Sequence, residues 1–558
     1  MPSPVGDDNT GIPKNPVGRT FLSGRRIFAE AGKSRPSAEF GLQNAPACRR
    51  QGLRSEKREE NLKMERIKNY INGKWVDSKS GETFRSINPA NKDEVIGIIS
   101  KSGREDVDQA VRAARGAYDQ WRLTPAPRRA EFLFRAAEIL LRNKESLGRL
   151  ETLEMGKILP EGLGDVQEAI DMGYYMAGEG RRLSGETVPS ELPNKDMKSV
   201  RVPIGVFGLI TPWNFPIAIP GWKVFPALIC GNTVVFKPSS DTTVCAAKFV
   251  EALAEAGLPK GVLNLVHGPG GEVGEYLVSH PGVDAVSFTG SFDTGKRLET
   301  ICGSIHRIIV TEMGGKNAII VMDDANLDLA VEGAIWGGFG TTGQRCTAAS
   351  RFVVHKKVYQ KFNDLFKTAA SRLRLGDGLQ KGTDMGPVIN ESQFNKILKY
   401  IEIGKKEGAK LILGGKPYRK GNCSKGYYIE PTIFIEVSPE MRIAQEEIFG
   451  PVVSVIKAEG LEDAIRIVNH TPYGLSSAIY TQNVNSSAIA ERDLETGIVY
   501  INASTIGAEI QLPFGGIKHS GYGRKEAGGQ GGALDTYSRW KVIYRDFSGR
   551  LQKAQIDK

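Results

Sequence analysis

From residue 204 onward, short apolar runs alternate with helical stretches, and this alternation constrains the fold more than any other feature of the chain. Segments 204–210, 233–236, 262–266, 285–288 and 308–310 read as buried strands, separated by helical stretches such as 241–257 and 272–279. Strand, helix, strand in series implies crossover connections, hence a parallel sheet with helices on both faces. This doubly wound α/β frame is the usual one for a dinucleotide. A second α/β run extends from 317 to about 515. Upstream, 68–76 alternates like a strand. From about residue 104 Val107, Ala110, Val111, Ala114 and Tyr118 recur at helical spacing, with amphipathic segments over 129–154 and 163–180. At 558 residues the chain is too long for one core, so two or more domains are expected.

Charge and cysteine use narrow the function. Half of the net charge of +10 sits in residues 1–63, and the signs are mixed elsewhere, so no nucleic-acid partner is expected. Residues 1–63 are rich in Arg, Gly, Ser and Pro without apolar periodicity. They read as a disordered or non-native N-terminal extension ahead of Met64. A transit peptide is the alternative, which Asp7 and Asp8 oppose. No apolar run approaches the roughly 20 residues of a membrane span. Six scattered cysteines without ligand-spaced histidines imply no disulfides, no metal site and a reducing, cytoplasmic location.

Four short motifs carry the chemistry. Thr211-Pro212-Trp213-Asn214-Phe215-Pro216 follows a buried strand, and Ser287-Phe288-Thr289-Gly290-Ser291 lies at another strand-to-helix turn. Glu312-Met313-Gly314-Gly315-Lys316-Asn317 follows the next strand, and Gly343-Gln344-Arg345-Cys346-Thr347 ends a Gly-rich helical segment. A lone cysteine is usually a small buried hydrophobe, which is the reading for Cys230, Cys245 and Cys302. Cys346 instead suits a nucleophile, since a thiolate adds readily to a carbonyl and leaves readily from a thioester. Taken alone, Glu312 could be a surface carboxylate and Asn214 a turn residue.

In order and spacing these motifs resemble the aldehyde dehydrogenase superfamily, over essentially all of 66–545. Further matches are Phe236-Lys237-Pro238-Ser239, Glu446 to Pro451, Pro513 to Gly516 and Ser520 to Arg524. The resemblance implies an α/β fold of the aldehyde dehydrogenase type. Its NAD(P)-binding domain would take 66–181 and 204–313, its catalytic domain 314–515, and its β oligomerisation arm 182–203 and 528–548, giving a homodimer or homotetramer. It also implies that Cys346 forms a thioester, that Asn214 and the Cys346 N–H stabilise the oxyanion, and that Glu312 activates the hydrolytic water. Relatives that pass the acyl group to coenzyme A lack a Glu there, so hydrolysis to the free acid is expected. For the cofactor it implies Thr211, Trp213, Lys237, Ser240, Gly290, Ser291, Glu447 and Phe449. Ser240 stands where strictly NAD-specific relatives often carry Glu, so NAD is expected and NADP is not excluded.

The subfamily resemblance is to α-aminoadipic semialdehyde dehydrogenases (antiquitin-like members). It rests on 153–159, Glu161-Gly162, Val166-Gln167-Glu168, Gly343 to Thr347, Ile501-Asn502 and Gly507 to Ile510. It implies that Arg345, Gly507 and Ala508 hold a distal carboxylate and that Glu168 faces an amino group. From the residues alone, the alternatives are that Arg345 pairs with an internal carboxylate and that Glu168 is a solvated helix residue. Segments 503–506 and 511–513 depart from the subfamily, and a basic tail follows at 548–558. The alternatives are a broad-specificity aldehyde-detoxifying dehydrogenase and a catalytically silent member of the fold. The silent reading predicts an eroded catalytic set, whereas Asn214, Glu312, Cys346 and Glu447 all stand.

Overall fold

A computed structural model describes residues 65–557, so the expectation for 1–63 lies outside the described residues. The alternating segments build the centre of an eight-stranded sheet. Its parallel strands run in the order Ile308–Glu312, Ala285–Thr289, Val206–Ile210, Thr233–Lys237, Leu263–Leu265. Alternate residues of one strand serve opposite faces. Phe207 and Leu209 join the core under helices Ala126–Arg142 and Leu159–Glu179, whereas Val206 and Ile210 join the core under helix Arg104–Leu123. Both faces are therefore apolar, which is why these strands read as continuous rather than alternating runs.

Each edge of this sheet ends antiparallel, and two readings change there. Segment 68–76 is not one strand but a hairpin, Asn69–Ile71 against Lys74–Val76. Asn72 and Gly73 take φ of 50° and 76°, the left-handed pair that a tight hairpin turn demands. Segment 129–154 is two helices, Ala126–Arg142 and Lys144–Met155, parted at Asn143, whose φ/ψ of −97°/8° leave the helical region. At the other edge Gly521–Tyr522 pairs with Thr311 and Glu312, so the chain returns to the first sheet after building the second.

The second sheet has seven strands and a core on each face: Lys410–Leu413, Thr432–Ile435, Val452–Ala458, Ala349–His355, Asn317–Val321, Ser476–Tyr480, Ile498–Ile501. All neighbours are parallel except the first pair. A separate antiparallel sheet joins Ser538–Asp546, Lys195–Pro203 and Glu186–Pro189. Of 528–548, only Ser538–Asp546 enters this arm. Ala533, Leu534 and Tyr537 pack into the first core, where Asn232 donates its amide to the Tyr537 carbonyl at 2.7 Å. Trp540, Val542 and Tyr544 stand exposed along the last strand.

Candidate active site

The thiol is aimed by a strained turn. Thr341, Thr342 and Gly343 take φ of 51°, 59° and 69° in succession, immediately before Gln344-Arg345-Cys346. A β-branched residue in this region costs about 1–3 kcal/mol, so the surroundings must hold the turn. They do: Thr341 donates its N–H to Glu161 at 2.7 Å, and Thr342 its hydroxyl to the Gly386 carbonyl at 3.0 Å. Gly343 must be glycine, since a Cβ there would lie 2.3 Å from the Gly450 carbonyl oxygen. Beyond the turn, the Asn317 amide donates to the carbonyls of Cys346 and Ala348.

Cys346 lies where two cavities meet, and Ile219, Thr289 and Met313 line both of them with it. The first cavity is lined by Trp213, Asn214, Gly290, Ser291, Glu447 and Phe449. Ser291 stands at the N-cap position of helix Phe292–Ser304 without capping it by its side chain, so the helix's N-terminal N–H groups suit a pyrophosphate. Glu447 accepts the Gly315 N–H at 2.9 Å, and burial raises its carboxyl. Phe449, at φ 61°, meets Trp213 edge-on with ring centroids 5.4 Å apart. Asn214 is 2% exposed and donates its amide to the Gln344 carbonyl at 3.1 Å.

Thr211, Lys237 and Ser240 do not line this cavity. They gather beside it at the carboxyl ends of the parallel strands, where α/β sheets bind ligands. Lys237 donates to the Pro238 carbonyl at 2.9 Å, and burial lowers its ammonium to about 8. The Ser240 hydroxyl donates to the Gly268 carbonyl at 3.0 Å. The buried hydroxyls of Thr211 and Thr289 have no protein partner, so the region carries polar groups that a dinucleotide can satisfy.

The second cavity holds Glu312, Arg345, Glu168, Gly507 and Ala508, walled by Phe215, Trp222 and Phe514. Glu312 ends strand Ile308–Glu312 in a cradle of glycines. Gly516 donates its N–H to the carboxylate at 3.0 Å, and a Cβ on Gly515 would lie 2.2 Å from Oε1. Burial first and Glu526 second raise the Glu312 carboxyl well above the ordinary range. Burial, Glu447 and Glu312 likewise push the Cys346 thiol up to about 12, so the resting thiol is neutral. Arg345 is caged between the rings of Phe215 and Trp336 at 5.2 and 4.9 Å. It donates Nε to the Thr341 hydroxyl at 2.7 Å and pairs with Glu161 at 3.3 Å, the internal carboxylate weighed against a substrate grip.

Sequence reading missed Lys223 and Glu526, a buried ion pair completed by the Ser287 hydroxyl, which accepts from Lys223 at 2.7 Å and donates to Glu526 at 2.9 Å. Lys223 is the one ionisable residue of the apolar helix Ala218–Ile229, a signal available in hindsight. Gln393 and Lys396 in the first cavity, on helix Glu391–Lys406, left no such trace. Among the described residues no cluster of His, Cys, Asp and Glu could hold a metal, and no helix is long and apolar enough to cross a membrane.

The profile of the aldehyde dehydrogenase family matches residues 75–543. The chain is 43% identical over 476 residues to an alpha-ketoglutaric semialdehyde dehydrogenase of Bacillus subtilis, covering 85% of this chain and 97% of that one. It is 44% identical over 473 residues to a 2,5-dioxopentanoate dehydrogenase of Saccharolobus solfataricus, covering 84% and 98%. The structure superposes with a TM-score of 0.85 on a betaine aldehyde dehydrogenase of Staphylococcus aureus in complex with NAD+. That protein is 37% identical, and the match covers 87% of this chain and 95% of that one.

Proposed function

Because the chain belongs to the aldehyde dehydrogenase family, we propose that it oxidises a carboxylated semialdehyde to the acid through a thioester on Cys346. The observation that carries this reading is the thiol in the wall between two cavities. Asn214 and Glu447 stand on one side of it, and Glu312 and Arg345 on the other.

Bound NAD supplies the hydride acceptor, and NADP is the second candidate because Ser240 brings no carboxylate against a 2′-phosphate. Lys237, Ser240, Thr211 and Trp213 hold it with Gly290, Ser291, Glu447 and Phe449. The protein's own groups do the rest. Glu312, made more basic by burial, takes the thiol proton. The thiolate adds to the aldehyde carbon, and the oxyanion is held by the Asn214 amide and the Cys346 N–H. Once the hydride has gone, Glu312 gives that proton up to solvent, takes a proton from the water whose hydroxide attacks the thioester, and returns it to the departing sulfur, leaving the acid and the thiol. Lys223, Ser287 and Glu526 form a buried hydrogen-bonded network, and the Glu526 charge helps keep the Glu312 carboxyl basic. Arg345, with Gly507 and Ala508, receives the distal carboxylate. The two relatives that act on semialdehydes bearing a 2-oxo group support a carboxylated substrate, and an α-aminoadipic semialdehyde is the alternative that would engage Glu168 through its ammonium.

In this reading 66–181 and 204–313 bind the cofactor, 314–515 supply the thiol, and 182–203 with the Ser538–Asp546 strand of 528–548 join subunits in a cytoplasmic homodimer or homotetramer. The exposed apolar side chains of Ser538–Asp546 support such a junction. The test follows NADH or NADPH formation with 2,5-dioxopentanoate, 5-oxopentanoate and unsubstituted alkanals. Carboxylated substrates should exceed alkanals in kcat/KM by about tenfold or more, the worth of one good ion pair. Equal rates would favour broad detoxification, and no turnover of any aldehyde would overturn the reading altogether.

A further inference from the structure

A guanidinium binds a carboxylate in its own plane, so a grip is only as good as the fixing of that plane. The hydrogen bonds of Arg345, from Nε to Thr341 at 2.7 Å and from one Nη to Glu161 at 3.3 Å, hold one edge, the second of them loosely. What else steadies the group is two rings, Phe215 at 5.2 Å and Trp336 at 4.9 Å. The two are held differently. Phe215 is backed by Lys157, whose Nζ lies 4.1 Å from the ring centroid. Lys157 is fully buried between Glu151 and Asp165 at 2.5 and 2.8 Å, and Asp165 accepts the Ala218 N–H just beyond Phe215 at 2.6 Å. This buried cluster makes Phe215 a fixed wall. Trp336 belongs neither to the cluster nor to the substrate cavity. It stands 44% exposed on helix Leu327–Phe339 and lines a separate groove with Val331, Ile335 and Phe339. Its indole lies against Gly340, where a Cβ would come within 3.1 Å of Trp336 Cε3.

We propose that Trp336 is a specificity-determining positioning residue: from outside the substrate cavity its indole fixes the plane of the Arg345 guanidinium and so sets the preference for carboxylated over unsubstituted aldehydes. This inference rests on the reading that Arg345 receives the distal carboxylate. Among aromatic side chains the indole attracts a cation most strongly, and it does so without occupying any of the N–H groups that a carboxylate needs. A guanidinium already oriented loses little freedom when the carboxylate arrives, whereas one free to tilt must be ordered at that moment. An unsubstituted aldehyde makes no use of the guanidinium, so loosening it falls on the carboxylated substrate alone. Gly340 serves the same end, because the space it leaves is the space in which the indole lies.

The test divides kcat/KM for 5-oxopentanoate by that for pentanal, which cancels the steps common to both. In Trp336→Leu the quotient should fall about fivefold or more, through a higher KM for 5-oxopentanoate, and in Trp336→Phe, which keeps a ring, most of it should return. The same quotient is taken for Arg345→Met and for Arg345→Met combined with Trp336→Leu. Since the indole acts through the guanidinium, Trp336→Leu should lower the quotient no further once Arg345 is gone. A quotient unmoved by Trp336→Leu but collapsed by Arg345→Met overturns the role of Trp336 and leaves the carboxylate grip standing. A fall of the same size with and without Arg345, or no recovery in Trp336→Phe, makes the indole a packing residue only and likewise overturns it. A quotient unmoved by Arg345→Met overturns the grip and this inference together.

Discussion

At the scale of single residues, the site is organised by which groups are neutral at rest. Burial and two carboxylates hold the Cys346 proton, so its thiolate fraction should rise steadily with pH. Carbamidomethylation of Cys346 by iodoacetamide in the cofactor-free enzyme should accelerate about tenfold per pH unit up to about pH 10, with no plateau near the ordinary thiol value. Peptide mass spectrometry against time reads the rate, and a plateau near pH 8.5 would show an unperturbed thiol. Glu312 depends on a residue with no side chain. A Cβ at Gly515 would collide with its carboxylate, so Gly515→Ala should cut kcat about a hundredfold, the usual result of misplacing a reacting group by an ångström. Steady-state kinetics with saturating aldehyde decides it. Unchanged kcat would mean that Glu312 is not held where the chemistry needs it.

At the scale of elements, the helix Ala218–Ile229 carries one charge into the core and is balanced from a segment far away in sequence. Lys223→Met leaves Glu526 buried without its counter-ion and should cost about 3–5 kcal/mol, read as a lower urea midpoint. Adding Glu526→Gln should recover part of the loss, and a double variant weaker than the single one would contradict the pairing. This network marks where sequence reading stops. Strands such as Val206–Ile210 were legible because burial on both faces makes them uniformly apolar. The hairpin at Asn72-Gly73 carries its turn signal, but alternation continues through it and reads as one strand. Lys223, Ser287 and Glu526 come from three elements, and no local pattern links them. The turn at Thr341 and Thr342 was equally hidden, because threonine disfavours the conformation that distant hydrogen bonds impose on it. Cys346, Asn214 and Glu312 stand out as candidates only because their motifs come together in one order, and the sequence shows Arg345 without its cage.

At the scale of the whole molecule, the arm turns an apolar strip outward. Val542 and Tyr544 point the same way along Ser538–Asp546, 57% and 62% exposed, more than a lone subunit normally leaves to water on a regular strand. Val542→Asp with Tyr544→Asp should shift the species seen by size-exclusion chromatography with light scattering to one subunit. An unshifted assembly would put the junction elsewhere.

The placement of the thiol in a party wall has a kinetic corollary. Apart from Cys346, Ile219, Thr289 and Met313, the two cavities are lined by different residues, so each guest is gripped by its own set. A molecule lodged on the Arg345 side should compete with aldehyde while leaving the affinity for nucleotide nearly untouched, and one lodged beside Glu447 should do the reverse.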